Sequence, residues 1–179
     1  MTKSIDSLIE DVYGVLTGGY STTEENEKVI STFGDSMKEL LRSRLQPRKG
    51  SGPTLRLSAL GKPARQLWYQ EQGVETAPLK GDTLLKFLYG DVIEELLLTL
   101  VKLSGHTVTH EQHKVKVAGV RGSMDAVIDG HVDDVKSASP YAFKKFAKAT
   151  DLPCGSAYGA LVQSGLVGAF APRGSTLYR

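Results

Sequence analysis

The sequence predicts a mixed α/β fold, a small central β-sheet flanked by helices and preceded by a helical N-terminal extension. Three observations carry that expectation. Residues 84–103, LLKFLYGDVIEELLLTLVKL, form a long and nearly continuous apolar helical pattern. Residues 121–137, RGSMDAVIDGHVDDVKS, read as two alternating strand runs on either side of Asp129-Gly130, a dipeptide suited to a two-residue hairpin turn. Ahead of both lie two amphipathic helical patterns separated by Gly18-Gly19. Residues 1–50 are therefore expected as a helical extension and residues 51–179 as the core, in one compact domain.

Each element follows from local chemistry. Ile5, Leu8, Ile9, Val12, Tyr13 and Leu16 recur at helical spacing within residues 4–16. Thr22 or Thr23 then opens a second helix, with glutamates in its first turn favouring the positive helix end. That helix carries Val29, Ile30, Phe33, Met37, Leu40 and Leu41 and ends before Pro47; residues 47–54, PRKGSGPT, read as a loop. In residues 55–70, Ser58 suits a short turn, Pro63 a first helical position, and Leu67 and Trp68 are apolar anchors. Asp82 or Thr83 is the expected cap of the long helix and Gly105 its terminator. Residues 107–117 read as one strand, with Val115 and Val117 alternating against Lys114 and Lys116. On such a strand His110 and His113 point to opposite faces, and the histidines read as solvated. After the hairpin, SPYAFKKFAKAT (139–150) is an amphipathic helix with Lys144, Lys145 and Lys148 off its aromatic side. The Gly-rich tail carries a weak helix around residues 158–170 and a short strand at 176–178.

Composition narrows the class. Hydrophobic residues make up 40% and charged residues 23% of the 179 positions, as in a globular protein. No apolar run approaches the ~20 residues needed to span a bilayer, so no membrane partner is expected. The opening MTKSIDSLIEDVYG carries Asp6, Glu10 and Asp11 among its apolar positions and does not read as a signal peptide. The single cysteine, Cys154, forms no internal disulfide and no multi-cysteine metal site, and a reducing cytoplasm is the expected compartment. Charge is unevenly spread: residues 1–40 hold eight acids against three lysines, whereas residues 41–70 hold seven basic residues and no acid. That stretch suits a phosphate-bearing partner or, equally, a solvated loop.

The residues that carry chemistry gather around the hairpin. Strand alternation puts Asp125 on a face with Ser123 and Val127, and Asp134 on a face with Val132 and Lys136. Asp133 turns to the opposite side. On the long helix, steps of three and four group Glu95 with Asp91, Thr99 and Lys102, a stripe that can face water. Glu94 instead groups with Phe87, Gly90, Leu98 and Val101, an apolar face, where a carboxylate must be paired, protonated or metal-bound. Paired carboxylates also serve glycoside hydrolysis, but Lys136 and the basic segment fit phosphate better. Carboxylates holding Mg²⁺ neutralise phosphate charge, and a lysine can orient water or meet transition-state charge. Arg65 fits a surface arginine, an ion pair with a distant acid, or a phosphate clamp. A P-loop, a dinucleotide fingerprint and a G-x-S-x-G elbow are absent from the sequence.

Gly90-x-x-x-Glu94 on a helix, Gly122-x-x-Asp125 on a strand and Asp134-Val135-Lys136 on the next resemble the PD-(D/E)xK nuclease superfamily. With LSALGKPARQLWY, LYGDVIEELLL and VDDVKSAS, the stretch from about Leu57 to Gln163 resembles the RecB-like exonucleases of tailed bacteriophages. The resemblance implies a restriction-endonuclease-like core and a Mg²⁺- or Mn²⁺-dependent DNA exonuclease acting in phage DNA recombination, repair or degradation, in the host cytoplasm. It implies Asp125 and Asp134 as metal-binding carboxylates with the Val135 carbonyl, Lys136 as the catalytic lysine, and Glu94 as the helix acid completing the site. Arg65 matches an arginine near the DNA end, and Gln163 a glutamine in the helix after the lysine strand. Ser137 and Lys144, directly beyond that strand, join them as expected DNA contacts. Pro63 stands where cluster-bearing relatives have cysteine, so no iron–sulfur cluster is expected, and Val167 stands where a tyrosine usually follows the glutamine. The implied partners are a DNA duplex end or single strand, with a second copy of the chain or a phage recombination protein. An endonuclease and a non-catalytic DNA-binding module on the same fold are the alternatives.

Overall fold

The computed structural model describes residues 3–47, 55–59, 61–74, 77–136, 159–161 and 168–172, with the backbone alone for Lys136 and for the last two segments. Helix α1 (Leu8–Gly18) follows a 3-10 turn, Ile5–Ser7, whose N-cap Ser4 accepts a hydrogen bond from the Asp6 amide. In α2 (Glu24–Leu45) the Thr23 hydroxyl accepts from the Asn26 amide at 3.2 Å, with Glu24, Glu25 and Glu27 in the first turn. Helix α3 (Ala64–Glu71) takes Pro63 as its N-cap rather than as its first helical residue. Helix α4 (Gly81–Leu103) begins one residue before Asp82, so neither Asp82 nor Thr83 caps it. Lys80 is the N-cap, without a side-chain bond, and Asp82 contributes its charge from within the first turn. Gly105 follows the end of α4 at φ 85°, the left-handed conformation that glycine takes at least cost.

The strands are β1 (Val108–Thr109), β2 (His113–Val117), β3 (Val120–Met124), β4 (Ala126–Ile128), β5 (His131–Lys136), β6 (Gly159–Leu161) and β7 (Gly168–Pro172). Five pair antiparallel in the order β1-β4-β5-β7-β6, while β2 and β3 form a separate two-stranded sheet. The β4–β5 turn is Asp129-Gly130 as expected, with φ of 49° and 86°, positive at both central positions as a type I′ turn requires.

Two expected elements take a different form. The single strand over residues 107–117 is broken between β1 and β2, where His110 and Gln112 adopt φ of 53° and 49°. Lys102 of α4 pairs with Glu111 in that break at 2.7 Å. The break brings His110 and His113 together edge to face, with ring centroids 5.4 Å apart, instead of on opposite faces. Of the helix expected over residues 158–170, the described positions are strands instead: Gly159–Leu161 (β6) pairs antiparallel with Gly168–Pro172 (β7), and Gly159 and Gly168 are poor helix formers. The helix expected at residues 139–150, the strand at 176–178, and Ser137, Lys144 and Gln163 lie outside the described residues.

One face of the larger sheet carries the core. Leu8 and Val12 of α1, Leu98 and Val101 of α4, and Ala126, Ile128 and Val135 of the strands form one buried cluster. Fully burying such aliphatic side chains contributes roughly 1.5–3 kcal/mol each. The cluster draws only on the C-terminal half of α4. Leu85, Phe87 and Tyr89, in the other half, are 66%, 47% and 53% exposed, so a helix whose apolar pattern suggests that it is largely buried is buried mainly over its C-terminal half.

Candidate functional site

Asp125 sits where the chain leaves one sheet and enters the other. It falls between β3, paired to β2, and β4, paired to β1 and β5. Its side chain is buried, and Oδ2 accepts a hydrogen bond from the Val135 amide at 2.8 Å, which fastens the junction to β5. Its carbonyl accepts from the Gln112 amide, also at 2.8 Å. The Gln112 side chain in turn donates to Glu94 Oε1 on α4. Glu94, Gln112, Asp125 and Val135 thus form one connected chain of contacts. Gln112 went unnoticed in the sequence because residues 107–117 read as one strand; the polar run Thr109-His110-Glu111-Gln112 is the signal of a turn there.

Register fixes the two neighbouring aspartates. Ala126 lies opposite Asp133 and Ile128 opposite His131, so Asp133 shares the core face with Ala126, Ile128 and Val135. Asp134 takes the other face and is half-buried; Lys136, two residues on, stands opposite Ala169. Glu94 is half-buried too, not sunk in the apolar face assigned to it by helical phase, and Thr99 of the supposed water-facing stripe is 7% exposed. Helical phase separates Glu94 from Glu95 but not their surroundings: Gln112 of the turn between β1 and β2 meets Glu94, while on the other stripe Glu111 meets Lys102 and Arg44 of α2 meets Asp91.

Asp133 is 1% exposed, and neither carboxylate oxygen has a hydrogen-bond partner among the described residues. Burial raises its pKa to about 6, with a smaller push in the same direction from Asp129, while His131 and the backbone of Ile128 act against it. His106, expected to be solvated, is fully buried between two acids, Nδ1 at 2.5 Å from Asp129 Oδ2 and Nε2 at 3.1 Å from Asp11 Oδ2. Asp11 also meets Lys3 at 2.9 Å and the Ser7 hydroxyl at 2.8 Å, and these two partners lower its pKa to about 2. This network ties α1 to the β4–β5 turn.

No family model, curated protein or solved structure matches the chain. Glu94, Asp125 and Asp134 offer oxygen donors of the kind hard cations take. Among the described residues, no three His, Cys, Asp or Glu side chains are grouped so as to hold a metal ion. Arg65 is exposed on α3, with a guanidinium nitrogen 3.4 Å from the Tyr69 hydroxyl and its centre 5.7 Å from that ring. The basic stretch is partly neutralised, since Arg42 pairs with Glu39 at 3.0 Å and Arg44 with Asp91 at 2.5 Å. A groove lined by Lys62, Gln66, Tyr69, Gln70 and Val74 runs along α3, and none of the three carboxylates lines it. Among the described residues no helix is long and apolar enough to cross a membrane.

Proposed function

We propose that the chain is a divalent-metal-dependent DNA nuclease of PD-(D/E)xK type, acting as an exonuclease on DNA ends. The observation that carries this reading is the linkage through Gln112 of Glu94 to the strand junction bearing Asp125, beside Asp134-Val135-Lys136. The order of these groups along the sequence supports it independently. The donor set is all oxygen and suits Mg²⁺ or Mn²⁺. Mg²⁺ is ordinarily held through one or two carboxylates together with waters and substrate phosphates, so a closed cage of protein ligands is not required. Asp125 and Asp134, with the Val135 carbonyl, would hold the ion. When bound, it neutralises phosphate charge and lowers the pKa of a water. The Val135 amide keeps the Asp125 carboxylate in place, and Gln112 does the same for Glu94. Lys136 would orient water or meet the charge that builds on the phosphoryl oxygens, and Arg65 would hold a DNA phosphate at the end being cut.

The test compares degradation of labelled duplex and single-stranded DNA by wild type and Asp125→Ala, with Mg²⁺ and with EDTA. Hydrolysis should need both the metal and Asp125; activity that survives EDTA and the substitution overturns the metal mechanism. Closed circular DNA separates exonuclease from endonuclease, since a strict exonuclease leaves it intact. A second reading, a DNA-binding module without turnover, draws on the same geometry, because Asp125 and Glu94 already serve as acceptors within the protein. Metal-independent DNA binding with no hydrolysis, unchanged by Lys136→Ala, is its signature.

A further inference from the structure

The β2–β3 hairpin has two unlike faces. In its register Lys114 lies opposite Ser123 and Lys116 opposite Arg121, so these four residues share one face, and all are exposed. Arg56, also exposed, is bridged to Arg121 and extends the row. None of these cations makes an ion pair among the described residues, in contrast to Arg42, Arg44 and Lys102. The other face carries Val115, Val120 and Met124, each partly buried, and Gly122. Gly122 is pressed against the 3-10 turn Leu57–Ala59: a Cβ there would fall 2.6 Å from Leu57 Cδ1. One side of the hairpin is therefore seated on the protein, and the other presents a row of cations with no ion pair among the described residues. The strand bearing Arg121 and Ser123 leads through Met124 straight into Asp125.

We infer that this cationic face is a track for the DNA phosphate backbone, holding the strand that leads to the proposed site at Asp125. The inference rests on the nuclease reading and adds a substrate-binding surface to it. Lys114 and Lys116 are two residues apart on one strand, about 6.8 Å, and Arg121 faces Lys116 from the next. A short row of cations at such spacing follows a polyanion, while the docked back face keeps it fixed relative to Asp125. Lysine and arginine contacts of this kind read phosphates and not bases, so the binding should be indifferent to sequence and sensitive to salt.

The experiment measures affinity for a fluorescent duplex by anisotropy across a salt series, with Ca²⁺ in place of Mg²⁺. Wild type is compared with Lys114→Gln/Lys116→Gln/Arg121→Gln and with a control that removes as much charge elsewhere, Lys28→Gln/Lys38→Gln/Lys86→Gln. The hairpin variant should bind about tenfold or more weakly near 0.1 M salt, with a log–log salt slope shallower by about 2 to 3, because each lost phosphate contact removes roughly 0.9. Lys114→Arg/Lys116→Arg/Arg121→Lys, which keeps the charge, should restore wild-type binding. Wild-type affinity and slope in the glutamine variant, or equal weakening in the control, overturns the hairpin track while leaving the nuclease reading intact. Absence of DNA binding by the wild-type protein overturns both. Circular dichroism melting verifies that each variant is folded before its affinity is counted.

Discussion

Asp133→Asn is a near-isosteric change that removes a buried charge, and its effect should depend on pH in a defined way. Burial raises the folded-state pKa from 3.8 to about 6. At 1.36 kcal/mol per unit this is at most about 3 kcal/mol. Because the folded pKa is the higher one, the folded state binds the proton more tightly. The stability contributed by this group is complete below the unfolded pKa and is lost as pH rises through the folded value near 6. Asparagine is neutral throughout, and its amide meets the same unsatisfying surroundings as the protonated acid, so that cost is common to both proteins. The variant should be more stable than wild type by about 2–3 kcal/mol at pH 7.5, with the gap closing by about pH 4. Urea denaturation at pH 4, 5, 6 and 7.5 in EDTA measures this. A variant no more stable than wild type at pH 7.5, or a gap that persists on acidification, would refute the picture of Asp133 as an uncompensated core charge.

Two further substitutions test the frame around the site. His106→Ala strips a fully buried ring from between Asp11 and Asp129 and should cost about 2–4 kcal/mol in thermal or chemical unfolding. DNA hydrolysis at a temperature where the variant is folded should persist, since His106 touches none of the groups assigned to chemistry. Gly122→Ala forces a methyl group onto Leu57, at 2.6 Å from Cδ1 and 3.0 Å from Cβ, and should cost about 1–3 kcal/mol. Adding Leu57→Ala should recover part of that loss, and a purely additive double variant would show that the close approach is not its cause.

The elements legible in the sequence were those whose signal is local. The Asp129-Gly130 turn, the Thr23 cap and the helical periodicity of α1, α2 and α4 each follow from residues within a few positions of one another. What could not be read depended on a partner distant along the chain. Alternation in residues 107–117 suggests one strand, but the break at Gln112 is held by contacts to Glu94 and Asp125, 18 and 13 positions away. His106 offers no pattern of its own, and its burial follows from Asp11, 95 positions earlier, and Asp129, 23 later. Helical phase singled out Glu94, yet its environment came from the turn that α4 meets in three dimensions. The candidate carboxylates were thus visible in the sequence, while the residues that hold them were not.

Register is what distinguishes the two adjacent aspartates of β5. A slip of one residue would turn Asp134 toward the face that packs on α1 and α4 and bring Asp133 to the opposite face, because side chains alternate along a strand. In such a slip Val132 and Val135 would exchange faces. Resistance to it comes from the ends of the paired segment. At the turn, Asp129 accepts from the Thr107 amide at 3.0 Å and meets His106, which in turn meets α1 through Asp11. At the other end, the Val135 amide donates to Asp125, and only the observed register offers that amide to it. In the proposed site Asp125 would therefore have a second task besides ligation, holding the register that puts Asp134 and not Asp133 on that face. Replacing Asp125 would remove both contributions, whereas Asp125→Asn keeps an oxygen for the Val135 amide and loses the charge. If the register argument holds, Asp125→Asn should retain near wild-type stability, Asp125→Ala should lose about 1–3 kcal/mol, and metal-dependent hydrolysis should fail in both. Equal stability of the two variants would leave the register to the turn alone.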